Sequence, residues 1–218
     1  MKSLDGNAVR TQRTRSRVLA ESLRLFNELG EAQVTTGTIA AALDMSAGNL
    51  YYHFRNKDQI VAELMRRFEE RMGLEPDVAL DAPGAIEDLW LYLHLTLEAI
   101  WEFRFLYRNL DDLAARDRRL RESFNRIAER KLRGVVELCE GLVRAKAMRA
   151  TPEEIRTLAR NVLVVATYWL NFQSLRGRAL PGEADLGLGA YQVMSLIAPY
   201  LVGAARRHLD ALARNYIQ

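Results

Sequence analysis

Cysteine is almost missing from this chain: Cys139 is the single one in 218 residues. A lone thiol excludes a disulfide framework and any cysteine-based zinc site. Histidine is scarce too, with three, and the residues three before them are Leu50, Leu91 and Ala205. That excludes the Glu-x-x-His pattern of a di-metal helical bundle, and His94 with Glu98 is a single pair that makes no metal site. The phosphate-binding loop, the dinucleotide glycine pattern and the nucleophile elbow are all absent, so neither metal nor cofactor is expected. Glycine and proline number 13 and 5, below their ordinary combined usage of ~12%. Few breakers mean few turns, which favours long helices over many short strands. The longest near-continuous apolar run, Val162–Leu170, is nine residues and contains Thr167. That is well short of the ~20 needed to span a bilayer. Lys2 and Arg10 precede no apolar stretch, so the start does not resemble a secretory signal, and the expected address is the cytoplasm.

Charge is nearly balanced overall, at +3, although the isoelectric point is near 9.1. The distribution is more informative than the total. Residues 101–150 carry thirteen basic and eight acidic side chains, interleaved as on a solvated helix face. Near the N-terminus, Arg10, Arg13, Arg15 and Arg17 fall within eight residues with no acid among them. Such a cluster suits phosphate, each contact releasing counterions.

Helical periodicity runs through the chain. Leu19, Leu23 and Phe26 mark a first helix over about 9–29, stopped by Gly30. Thr35 or Thr36 is placed to cap a short helix carrying Ile39, Ala40 and Leu43, and Ser46 to cap another through His53. Asp44 stands in the turn between them, where left-handed backbone is needed and Asp tolerates it. Asn56 caps a longer helix with Ile60, Leu64 and Phe68 on one face. Gly73, Pro76, Pro83 and Gly84 read as a linker. Further helices are expected over 84–101, 104–114, 117–148, 152–176 and 186–213. Gly177, Pro181, Gly182, Gly187 and Gly189 mark the last loop, and Pro199 should bend or break the final helix.

Residues 35–57 carry the most specific signal. Two short helices joined by so tight a turn cross steeply, as in a helix-turn-helix. Leu50 and Phe54 share one face of the second helix and pack inward with Ile39. Asn49 can bond an adenine edge and an aromatic ring can touch a thymine methyl. The pattern Thr35-x-x-x-Ile39-Ala40, then Ser46-x-Gly48-x-Leu50-Tyr51-x-His53-Phe54-x-x-Lys57, resembles the TetR family of bacterial one-component transcription regulators. Those regulators commonly have Ala-Gly-Val before the serine, where this chain has Leu43-Asp44-Met45. The aromatic and arginine-rich segment Trp101–Arg108 is similar to that of one subgroup of the family.

The resemblance implies an all-α fold: a three-helix DNA-binding domain over 1–56, a connecting helix over 57–73, and a helical domain over 74–218 for effector binding and dimerisation. Ala47, Gly48, Asn49 and Tyr51 would face bases, and Arg15, Thr36, Ser46, Tyr52, His53 and Lys57 would hold phosphates. The partner DNA would be a pseudo-palindromic operator read by a homodimer, because one short helix makes too few base contacts. The dimer would use Leu158, Val162, Val165, Ala166 and Trp169 with Tyr191, Met194, Ile197, Ala198 and Leu201. Trp101, Phe105, Trp169 and Phe172 could line an apolar effector pocket, with His94, Arg104 or Tyr168 as polar anchors. Two other classes stay open at this point: an all-helical protein interaction module, and a helical-bundle enzyme acting on an apolar small molecule.

Overall fold

A computed structural model describes residues 2–73, 85–175 and 183–217. The proposed linker at Pro76, Pro83 and Gly84 and the loop at Gly177, Pro181 and Gly182 lie outside these residues. The described chain is helical, and its strand-like pairing is a single bridge between Met148 and Leu201. It forms two compact units: one takes in residues up to Arg71 together with Phe103–Arg121, the other Met72–Glu102 and Glu122 onward.

The first unit is built on α1 (Lys2–Leu29), α2 (Thr36–Ala42), α3 (Ala47–His53) and α4 (Lys57–Met72). The starts of α2, α3 and α4 each have a local cause. Thr35 and Thr38 form a reciprocal capping box, the Thr38 N–H donating to Thr35 Oγ1 at 3.1 Å. Ser46 Oγ accepts from the Asn49 N–H at 3.2 Å, and Asn56 Oδ1 accepts from the Gln59 N–H at 2.9 Å. Asp44 adopts φ 54°, the left-handed conformation the tight turn requires. Phe26, Ile39, Leu50, Phe54, Leu64 and Phe68 fill the centre.

The same unit holds two helices that the sequence reading assigned to the C-terminal part, α6 (Arg104–Arg108) and α7 (Leu110–Arg116). The Phe105 N–H donates to Asn27 Oδ1 at 3.0 Å, and its ring lies 5.2 Å from that of Phe26. Phe103 and Tyr107 pack on Phe68 at 5.5 and 5.7 Å.

The second unit comprises α5 (Ala85–Glu102), α8 (Arg118–Arg144, from Glu122), α9 (Pro152–Leu175), α10 (Glu183–Ile197) and α11 (Gly203–Ile217). Its core joins Leu93, Leu142, Leu158, Val162, Met194 and Ile197, with Cys139 fully buried among them. Burial pushes the Cys139 thiol pKa up to about 11, which suits an inert filler. Pro199 breaks the final helix in two, within a short 3-10 turn at Ala198–Tyr200. The strand-like bridge joins that break to the α8–α9 connection. Gly187 and Gly189, read as loop markers although the helix expected over 186–213 includes them, lie within α10. At Gly189 a β-carbon would come within 3.0 Å of Trp169 Nε1, so glycine there lets α10 close on the indole.

Candidate nucleic-acid interface

The N-terminal arginines lie on α1, within the helix expected over 9–29, and the helical period separates them. Arg10, Arg13 and Arg17 share one face with Thr14 and line an open groove of about 650 Å³. Leu43, Asp44 and Met45 of the turn and Asn49, Tyr52 and His53 of α3 complete it. Three guanidinium groups thus stand beside the outer face of the second short helix. Arg15, two residues from Arg13, points elsewhere. It stacks over the Phe54 ring at 4.2 Å and donates to the His53 carbonyl at 2.6 Å. Its charge tethers α1 to the end of α3.

The outer face of α3 is open to solvent. Ala47, Gly48 and Asn49 are exposed, Tyr51 is 63% and Tyr52 76% exposed, whereas Leu50 is buried. Two large rings turned outward lose apolar burial worth about 1.5–3 kcal/mol each, so packing within this chain does not account for them. A β-carbon at Gly48 would meet nothing within 4 Å, so close packing does not demand glycine there either. Ser46 is exposed and Thr36, the first residue of α2, is partly exposed. His53 is half-buried, and its Nδ1 has no hydrogen-bond partner among the described residues. Burial, then the nearby Arg15 guanidinium, push its pKa below the ordinary value.

Lys57 differs from its expected role. Its ammonium pairs with Glu31 Oε1 at 2.9 Å and donates to the Glu31 carbonyl at 2.9 Å. Glu31 is fully buried, and Arg116 of α7 approaches the same carboxylate at 3.1 Å. Lys57 therefore neutralises an interior acid and fixes the start of α4. Sequence reasoning missed Glu31, a lone acid after Gly30 with no motif around it. It also missed Asn27, whose polar side chain on the apolar stripe of α1 was a readable signal.

The candidate effector residues do not form one group. Phe105 and Arg104 belong to the first unit, where Phe105 is fully buried in the core. Burial and Arg108 lower the Arg104 pKa. In the second unit His94 stacks on Trp90 at 4.9 Å and lies 3.2 Å from Glu98. Trp101 is half-buried on α5. Trp169 and Phe172 are 6.3 Å apart on α9, and Tyr168 and Phe172 are exposed.

The candidate interface residues also divide. Leu158, Val162, Met194, Ile197, Ala198 and Leu201 are buried in the chain's own core. They have little area left to bury against a second copy. Val165, Ala166 and Tyr191 pack partly against that core, and Trp169 is half-buried. The apolar residues that α9 does expose are Val164, Tyr168, Phe172 and Leu175, one stripe at helical spacing.

A family model described as "Bacterial transcriptional repressor" matches residues 55–209, and one described as "Bacterial regulatory proteins, tetR family" matches residues 18–64. The chain belongs to the TetR family. A TetR-family transcriptional regulator from Marinobacter aquaeolei VT8 is 37% identical, with a TM-score of 0.83 over 93% of this chain and 98% of that one. A putative transcriptional regulator from Saccharomonospora viridis, solved in complex with choline, shares 20% identity. Its TM-score is 0.68 over 88% of this chain and 99% of its own. The HTH-type transcriptional regulator AcrR of Shigella flexneri is 34% identical over 74 residues. That match spans about a third of each chain (34%). As a TetR-family member, the chain is a DNA-binding transcription regulator rather than an enzyme. Among the described residues no helix is long and apolar enough to cross a membrane.

Proposed function

We propose that this regulator is a ligand-responsive repressor that binds a pseudo-palindromic operator as a homodimer in the cytoplasm. The observation that carries the reading is the exposed α3 face beside three guanidinium groups of α1. Ala47, Gly48, Asn49 and Tyr51 meet base edges, with Gly48 permitting close approach. Arg10, Arg13, Arg17, Thr36, Ser46 and Tyr52 hold backbone phosphates, which positions α3 without reading sequence. Arg15 and Lys57 support the fold of this unit. His53 lies at the groove's edge and contributes a ring N–H to a phosphate.

A second copy covers the stripe Val164, Tyr168, Phe172 and Leu175 on α9. A two-fold pair places two recognition helices one DNA turn apart, about 34–36 Å, and doubles the bases read. A small, largely apolar effector binds the second unit and favours a dimer whose recognition helices no longer match that spacing. The choline complex of the Saccharomonospora viridis regulator supports a small-molecule effector in this architecture.

The test is selection of bound DNA from a genomic pool, joined to sedimentation of wild type and Tyr168→Glu with Phe172→Glu. An inverted repeat and a dimer that the double variant dissociates are expected. Enrichment of unrepeated half-sites by a monomer would contradict the proposal.

A further inference from the structure

Gln173 is 1% exposed, yet neither its Oε1 nor its Nε2 has a hydrogen-bond partner among the described residues. One turn earlier on α9, Trp169 Nε1 is likewise buried and unpartnered. Three unsatisfied polar atoms on one helix face depart sharply from the rule that buried polar groups are paired. A buried polar atom left without a partner keeps its full desolvation cost, so the cluster is unfavourable unless something satisfies it. Gly189 of α10 lies against the indole nitrogen edge, and Leu97 of α5 approaches the same glycine.

We propose that Trp169 and Gln173 form the polar end of a small-molecule site within the second unit. Its ligand is a neutral, largely apolar compound ending in a hydroxyl or carboxamide. The ligand class follows from the donor and acceptor inventory. The indole offers one donor, and the glutamine amide offers both a donor and an acceptor. A carboxylate would satisfy the donors but has no hydrogen to give to Oε1. An ammonium would satisfy Oε1 but face two N–H groups. A neutral group that both donates and accepts completes all three. The proposal rests on the ligand-responsive reading above and replaces His94, Arg104 and Tyr168 as the polar anchors.

The full-length protein is titrated with five one-ring probes: toluene, benzyl alcohol, benzamide, benzoate and benzylammonium. Thermal melting gives the apparent affinities. Benzyl alcohol and benzamide are expected to bind about tenfold more tightly than the other three. Gln173→Met and Trp169→Phe are expected to erase that preference. Gln173→Met should also raise the melting midpoint without ligand, because it removes an unpaired amide. Trp169→Phe keeps an aromatic ring and carries the test alone if the first variant does not fold. Equal binding of all five probes, binding of none, or an intact preference in the variants overturns the proposal. DNA binding is measured on the same preparation. Operator binding without head-group preference removes only this site. Head-group preference without operator binding removes the regulatory reading and leaves the site.

Discussion

Replacing Phe105 by alanine tests where the segment 103–121 belongs. Its ring is fully buried, tilted 5.2 Å from the equally buried Phe26, and its N–H is held by Asn27. Removing a buried Phe side chain forfeits its transfer energy and leaves a cavity, together about 3–5 kcal/mol. Complete burial argues for the upper half of that range. Against a typical total of 5–15 kcal/mol, much of the stability of the first unit would be lost. Urea denaturation followed by far-UV circular dichroism gives the magnitude, and amide exchange locates it. Faster exchange is expected in α1, α4 and α6, together with weaker operator binding. Tyr52→Ala, on the exposed face of α3, is the control and should stay within about 0.5 kcal/mol of wild type. A loss below 1 kcal/mol for Phe105→Ala, with operator binding intact, would refute this placement.

Asp44 has φ 54°, so Asp44→Gly should keep or slightly raise stability. Asp44→Val should lower it by about 1–2 kcal/mol, both read by thermal melting. Lys57→Met leaves the buried Glu31 carboxylate with only the partly exposed Arg116. A loss of about 1–3 kcal/mol is expected, discounted for that exposure, and Glu31→Met in the same chain should recover part of it. The lowered pKa of His53 fixes the sign of a pH effect. Below its ordinary value near 6.5, the unfolded chain takes up a proton that the folded chain resists. Stability should therefore fall as pH drops from about 6.5 toward the folded pKa. In His53→Gln, melting midpoints should vary less over that interval.

The parts legible in the sequence were those fixed by neighbouring residues. The caps at Thr35, Ser46 and Asn56, the turn at Asp44 and the break at Pro199 each depend on chemistry within a few positions. Placing Phe105 required its bond to Asn27, 78 residues away, which no local pattern encodes. The α9 register was hard for another reason. Residues 162–170 are apolar nearly all round, so periodicity alone does not tell the buried Val162 from the exposed Val164. Helix α1 begins at Lys2 rather than near residue 9, because it extends further toward the N-terminus than its apolar stripe does. Gln173 was overlooked because a glutamine among apolar residues carries no motif, and only its burial gives it meaning.

The most direct test of the central claim is the affinity of the protein for selected DNA over a salt series. Wild type is compared with Arg13→Ala/Arg17→Ala and with Asn49→Ala. Loss of two phosphate contacts should reduce the slope of log affinity against log salt by about two, uniformly across DNA sequences. Asn49→Ala should leave the slope unchanged, cost about 1–3 kcal/mol on the selected DNA, and relax preference at one base pair in each half-site. Unchanged salt dependence in the first variant, with unchanged base preference in the second, would contradict the assignment of this face to DNA.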